Sequence, residues 1–216
     1  MRRYKAILFD FDGTLMNTNE IIFASWQHTY KTLTGKEGDR REIVKTFGEP
    51  LFTSMENAFP NVPVEESVAI YRDYQRDCYL DKIELFEGCK ELIIELHKRG
   101  FRLAVVTSRV KSSLISGLEK YGLLDYFEAF VTCDDTDAHK PSPEPILKAL
   151  EKLDIDAKDA LMIGDSIFDV LCAKNAGVES VLVGWALEGA GTIIDEDVEP
   201  EFRIKIAKDL IAIVEE

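Results

Sequence analysis

Short runs of strongly apolar residues alternate with amphipathic stretches along most of this 216-residue chain, and that alternation is the tightest constraint on its fold. Residues 4–9, 102–106, 129–132, 160–163 and 180–183 are rich in Val, Ile, Leu and Ala and read as strands buried on both faces. Between them lie helical patterns. Cys89, Leu92, Ile93 and Leu96 recur at i, i+3, i+4 and i+7, and Gly100 stands where a C-terminal cap is wanted. Ile146, Leu147, Leu150 and Leu153 make a second such face, with Ser142 as N-cap and Pro143 at the first helical position. Ile204, Ala207, Leu210, Ile211 and Val214 predict a last helix. Strands alternating with helices predict an α/β fold, a doubly wound parallel sheet covered on both faces.

The alternation breaks between residues 16 and 82, where no strand is read and every pattern is helical. Ile22, Trp26, Thr29, Tyr30 and Leu33 mark one helix, and Val64, Val68, Tyr71 and Cys78 another. Two shorter pieces lie around 41–47 and 51–59. A helical insert directly after the first strand is a lid by position, because its ends return near the tip of that strand. The expected organisation is therefore a discontinuous core, 1–15 and 83–216, carrying a small helical cap, 16–82. A length of 216 residues suits one core with such an elaboration.

Charge narrows the partners. A formal charge of −14 disfavours nucleic acid and anionic membrane, and no stretch approaches the roughly 20 apolar residues of a membrane span. The apolar segment 6–9 is too short for a signal peptide and runs into an aspartate, so a cytoplasmic location is expected, as a monomer or weak homodimer. The four cysteines, Cys78, Cys89, Cys133 and Cys172, are scattered without metal-ligand spacing and read as small packed hydrophobes. His28, His97 and His139 are too far apart in sequence to suggest a metal set.

Carboxylates cluster at the predicted strand ends. The first strand ends in Asp10-Phe11-Asp12-Gly13-Thr14, with both acids on one side and at the edge where open α/β sheets bind ligands. A carboxylate can attack phosphorus to give an acyl-phosphate, and a second carboxyl can protonate the leaving oxygen. Gly13 lets the chain turn beside the site. The strand 102–106 runs into Thr107-Ser108-Arg109, whose hydroxyls can bond a phosphoryl oxygen and whose guanidinium can hold a second anionic group. Lys140 precedes Pro141, Pro143 and Pro145 and can screen the negative charge. The strand 160–163 ends in Gly164-Asp165-Ser166-Ile167-Phe168-Asp169. There Asp165 reads as a metal ligand and Asp169 as its support, or as an ordinary acid in a helical first turn.

Bringing Asp10, Asp12 and Asp165 together with a phosphate is untenable without a cation. At about 4 Å and an effective dielectric near 20, each repulsion is about 4 kcal/mol. One lysine does not balance that, and a hard, oxygen-liking ion that tolerates bound phosphate points to Mg²⁺.

Together, Asp10-x-Asp12-Gly13-Thr14, Thr107/Ser108, Lys140 and Gly164-Asp165-Ser166-x-x-Asp169 resemble the haloacid dehalogenase superfamily over essentially the whole chain. The resemblance implies a Rossmann-like core with a helical cap. It implies Asp10 as nucleophile and Asp12 as general acid/base whose backbone carbonyl joins Asp10 and Asp165 in holding the metal. Phosphoryl contacts are implied from Thr107 or Ser108 and from Lys140. The stretches 15–20, 132–135, 141–145 and 184–186 are similar to the phosphoglycolate phosphatase branch, and most of all to its PpaX-type inorganic pyrophosphatases. Asn17 departs from the aspartate of many relatives. Gly48-Glu49-Pro50 matches a cap loop that would face substrate, with Glu49 an acid where a neutral residue is usual; as a bare pattern it is equally a helix break. The expected function is a Mg²⁺-dependent phosphohydrolase acting through an aspartyl-phosphate, with pyrophosphate first, phosphoglycolate next, then a sugar or nucleotide monophosphate. A phosphomutase, a metal-free dehalogenase and a non-enzymatic phosphate-binding protein are the rival readings.

Overall fold

The computed structural model describes residues 3–185 and 198–215. Ala186, the last residue of one motif above, lies outside them. Six parallel strands form the central sheet: β1 (Ala6–Phe9), β4 (Arg102–Val106), β5 (Ala129–Val131), β6 (Ala160–Gly164), β7 (Glu179–Val183) and β8 (Phe202–Ile204). Their spatial order is β5-β4-β1-β6-β7-β8. The two outer numbers are reached in opposite directions from β1, so the winding reverses beside β1, between β4 and β6. That is where an α/β sheet opens a crevice at its carboxyl edge.

Strand alternation explains the two-faced core. Ile7 and Phe9 point to one face, where they pack with Leu92, Ile93 and Leu96 of helix α5 (Cys89–Lys98) and Leu114 and Leu118 of α6 (Lys111–Tyr121). Leu210 and Val214 of α9 (Asp209–Glu215) close the same face. Ala6 and Leu8 point to the other, against Ile146, Ala149, Leu150 and Leu153 of α7 (Glu144–Leu153) and Cys172 and Ala173 of α8 (Ile167–Ala176). Every β1 side chain is buried, which is why that strand shows no polar alternation.

Helices α1 (Asn19–Thr34), α2 (Arg40–Lys45), α3 (Leu51–Ala58) and α4 (Val64–Lys82) form a separate layer around Trp26, Ile43, Phe47, Met55, Phe59, Val68 and Tyr71. Both ends of this layer leave from a short antiparallel ribbon, β2 (Met16–Asn17) with β3 (Glu84–Leu85). The packing boundary falls inside the helices. Ile21 near the start of α1 and Tyr79 near the end of α4 belong to the cluster under the sheet. No helix among the described residues is long and apolar enough to cross a membrane, and all four cysteines are free thiols.

Three sequence expectations need correction. Met16–Asn17 is a strand inside a region read as wholly helical; two residues give no periodicity to detect. Ile204 and Ala207 lie outside the last helix, which begins at Asp209: Ile204 belongs to β8 and faces the core because β8 extends the sheet beside β7, and Ala207 is buried in the turn that follows. Helix α7 starts one residue later than expected, with Pro143 at the cap position and Ser142 Oγ accepting from the Glu144 amide at 3.3 Å.

Candidate active site at the reversal of the sheet

The Asp10 amide still pairs with the Ile163 carbonyl at 2.8 Å, so its carboxylate is delivered at the carboxyl end of β1, facing the end of β6. The chain then folds back: the amides of Leu15 and Met16 both donate to the Phe11 carbonyl, and the Gly13 amide donates to Met16 at 2.9 Å. Gly13 has φ +78°, and a Cβ there would lie 2.1 Å from Asp165 Oδ2. Only glycine lets the Asp165 carboxylate sit against this turn. Thr14 is buried behind it, its carbonyl accepting from Trp185 Nε1 at 3.0 Å. Trp185 packs near Phe86, outside the residues that line the cleft.

Lys140 enters from the segment after β5, which α8 pins through Asn175 Nδ2 to the Pro141 carbonyl at 2.9 Å. Its ammonium is buried and bridges two carboxylates, Asp10 Oδ1 at 2.7 Å and Asp169 Oδ1 at 2.5 Å. Burial alone would weaken its hold on its proton, but the two carboxylates outweigh burial and raise its pKa further. Asp169 does two jobs at once. Its Oδ2 accepts from the Ser166 amide (3.1 Å) and hydroxyl (2.7 Å), the capping box that starts α8, while Oδ1 serves Lys140. The first-turn position of Asp169 is thus a capping one, and its other oxygen bonds Lys140 rather than Asp165.

Carboxylate oxygens of Asp10, Asp165 and Asp169 lie within 4.8 Å of one another. Lys140 compensates the first and last, and among the described residues no cation forms an ion pair with Asp165. Burial, then Asp169 and Asp10, raises the Asp165 pKa well above the ordinary carboxylate range. Asp10 is pushed up to about 7, by burial first, against the pull of Lys140. On the core side, Asp12 brings the carboxylates to four against two cations, Lys140 and Arg109; the helical layer adds one of each, Glu49 and Arg72. An all-oxygen donor set with uncompensated negative charge fits a hard divalent cation.

Asp12 is held differently. Arg109 grips its carboxylate with Nε at 3.0 and 2.9 Å from the two oxygens and Nη2 at 2.6 Å from Oδ1. The core's acidic side chains therefore divide into a cluster of three beside Lys140 and one locked to Arg109, whose contacts leave the Asp12 backbone free of the guanidinium. Thr107 and Ser108, at the end of β4, line the same cleft, and Thr107 Oγ1 accepts from the Arg109 amide at 3.2 Å.

The helical layer roofs this cleft. Gly48 and Glu49 both line it, and Glu49 Oε2 accepts from Ser54 Oγ. Gly48 has φ +85°, and a Cβ there would stand 3.0 Å from Ser166 Cβ and Oγ, so the loop rests directly on the core. Trp26, Tyr71, Arg72 and Gln75 complete the roof and were not among the sequence candidates. In sequence Arg72 and Gln75 carry no signal that separates them from solvent-facing positions of α4.

Comparison with known proteins agrees with this geometry. The profile of the haloacid dehalogenase-like hydrolase family matches residues 7–183. The chain is 36% identical over 208 residues to pyrophosphatase PpaX of Halalkalibacterium halodurans, covering 96% of this chain and 95% of that protein. It is 34% identical over 212 residues to pyrophosphatase PpaX of Bacillus cereus, covering 98% and 97%. A crystal structure from Lactobacillus plantarum, provisionally named a phosphoglycolate phosphatase, superposes with a TM-score of 0.85 at 30% identity over 97% of this chain and 98% of its own. A buried acidic cluster at the sheet reversal, carried on motifs that this profile matches end to end, leaves one conclusion: the chain belongs to the haloacid dehalogenase-like hydrolases.

Proposed function

We propose that this protein is a Mg²⁺-dependent phosphohydrolase working through an aspartyl-phosphate on Asp10, with inorganic pyrophosphate as its substrate. One observation carries the chemistry: a buried Asp10 at the sheet reversal shares Lys140 with Asp169 and lies within 4.8 Å of an uncompensated Asp165. Pyrophosphate is supported by the PpaX relatives at 34–36% identity. Phosphoglycolate is the second reading, supported by the likeness to the Lactobacillus plantarum structure.

Asp10, Asp165 and the Asp12 backbone carbonyl would hold the metal, which supplies Lewis-acid stabilisation of charge on the phosphoryl oxygens. An Asp10 carboxylate oxygen attacks phosphorus, forming the P–O bond as the bond to the leaving oxygen breaks. Asp12 gives its proton to that oxygen. A water oxygen then attacks the same phosphorus, Asp12 takes the water's proton, and the acyl-phosphate bond breaks to restore Asp10. Lys140 orients Asp10, and Thr107 or Ser108 donates to a phosphoryl oxygen. Residues 1–15 and 83–216 form the catalytic core in this reading, and 16–82 act as a cap that closes over bound substrate to exclude water.

The test is phosphate release from pyrophosphate, phosphoglycolate and sugar phosphates, with Mg²⁺ or with chelator, beside the Asp10→Asn protein. Mg²⁺-dependent release that vanishes in the variant supports the mechanism, and the best substrate identifies the reaction. Release that persists in Asp10→Asn overturns the assignment of the nucleophile.

A further inference from the structure

We infer that Arg109 senses the leaving group: its fork transfers from Asp12 to an anionic group on the departing part of the substrate, and this transfer frees Asp12 to act. The inference rests on the reading of Asp12 as acid/base and adds a substrate class to it, phosphoanhydrides or phosphoesters whose leaving portion carries its own phosphate or carboxylate.

Arg109 is only 9% exposed, and its three short hydrogen bonds all go to Asp12. Its remaining contacts are long or non-directional: Nη1 lies 3.4 Å from Ser113 Oγ and 3.5 Å from Gln75 Oε1. Its guanidinium also sits 4.6 Å over the Tyr79 ring and 6.0 Å from that of Phe11. A bidentate guanidinium–carboxylate pair is among the strongest and most geometrically fixed contacts a protein makes. A carboxylate held in it points at the arginine, not at a scissile oxygen. Asp12 is therefore restrained in this arrangement.

The same residues show what breaks the restraint. Arg109 lines the cleft together with Arg72, which forms no ion pair among the described residues and approaches from α4. Gln75 and Ser113, both beside Arg109 Nη1, line the same cleft. Two arginines and two neutral hydrogen-bonding side chains make a seat for a second anion beyond the one attacked by Asp10. A phosphate or carboxylate there offers Arg109 the planar, bidentate partner it now finds in Asp12. A neutral alcohol offers nothing to the fork, and Asp12 stays bound. Discrimination thus lies in the release of Asp12 as well as in binding, so it belongs to kcat as much as to KM.

The experiment compares the Mg²⁺-loaded wild type with Arg109→Gln, Arg109→Lys and Arg72→Gln on four substrates. Pyrophosphate and phosphoglycolate carry an anionic leaving portion, one phosphate and one carboxylate. Glycerol phosphate carries a neutral one, and p-nitrophenyl phosphate has a leaving group that departs without a proton. For Arg109→Gln, KM on pyrophosphate and phosphoglycolate is expected to rise and kcat/KM to fall roughly 100-fold, because the anionic leaving portion loses its fork. With Asp12 no longer held, kcat on glycerol phosphate should rise, while p-nitrophenyl phosphate, whose leaving group needs no proton, should change by less than about tenfold. Arg109→Lys should partly recover KM on the anionic substrates, since it keeps the charge and loses the fork. Arg72→Gln should raise KM on the anionic substrates alone. An equal fall on all four substrates, no fall on any, or a wild type that prefers glycerol phosphate overturns the inference. Failure of the underlying reading looks different: p-nitrophenyl phosphate turnover then survives Asp10→Asn, whatever the Arg109 variants do.

Discussion

Replacing Asp165 by Asn is expected to stabilise the metal-free protein and to abolish its stabilisation by Mg²⁺. Oxygens of Asp165, Asp10 and Asp169 lie within 4.8 Å of each other, and Lys140 is already shared by the other two. At that separation and an effective dielectric near 20, each like-charged pair costs about 3.5 kcal/mol. The protein can escape by protonating the group, but neutralising an ordinary carboxyl at about pH 7.5 costs about 5 kcal/mol. After the lost packing and solvation of the native side chain, a net gain of about 2 kcal/mol is expected, roughly 4–8 °C in Tm for a chain of this size. The sign with pH follows from linkage. Because the folded state raises the Asp165 pKa, folding binds the proton more tightly, so the penalty is absent below the unfolded pKa and grows as pH rises above it. The advantage of the variant should therefore be large at pH 8 and shrink towards pH 5. With Mg²⁺ at about 100 times its dissociation constant, the wild type should gain about 2.7 kcal/mol and the variant almost nothing. Thermal melts by far-UV circular dichroism, with chelator and with Mg²⁺ at both pH values, measure all of this. A variant that melts below wild type in chelator at pH 8, or that responds fully to Mg²⁺, refutes the reasoning.

Lys140→Met leaves Asp10 and Asp169 buried without their shared cation, so a loss of about 3–5 kcal/mol in urea unfolding is expected along with loss of turnover. An unchanged midpoint would show that the carboxylates do not depend on it. Gly48→Ala puts a side chain at φ +85° and 3.0 Å from Ser166, which should lower kcat/KM about tenfold while costing about 1 kcal/mol of stability. Unaltered kinetics would mean the loop need not seat on the core. Met55→Ala should remove about 2–5 kcal/mol of local stability, read by hydrogen exchange as faster opening of α1–α4 than of the sheet. Equal acceleration in both would argue that the two layers open as one unit.

Much of this architecture can be read from sequence because the sheet is buried on both sides. The five strands expected from apolar runs all exist, since a strand covered by helices on both faces leaves a continuous signal. The sixth, β8, eluded that reading for a physical reason. It is an edge strand with Arg203 exposed and only Ile204 buried, and Ile204 lies three and seven positions before Ala207 and Ile211, a spacing that also suits a helix. The spacing of the acidic motifs predicted residues that the fold gathers around one cleft, because a parallel sheet delivers each strand's end to the same edge. What the sequence does not encode locally is pairing across the chain. That Arg109 would clasp Asp12, 97 positions away, and that Lys140 would reach Asp169 as well as Asp10, depends on packing that no spacing rule captures. The roof residues Arg72 and Gln75 were hidden likewise, as polar positions on a long amphipathic helix look like solvent-facing ones until something lies beneath them.

The ribbon joining the helical layer to the sheet has a bearing on how such chains diversify. Asn17 and Glu84, the residues at which the layer begins and ends, are cross-strand partners, so 66 intervening residues depart from and return to a single rung. Any segment whose termini lie one strand spacing apart could be grafted onto that rung without shifting the register of β1 against β4 and β6. Recombination at this point would exchange the surface that greets the substrate while the reacting groups stay where the sheet holds them. The rung is in that sense a coupling, with a standard fitting on one side and interchangeable parts on the other.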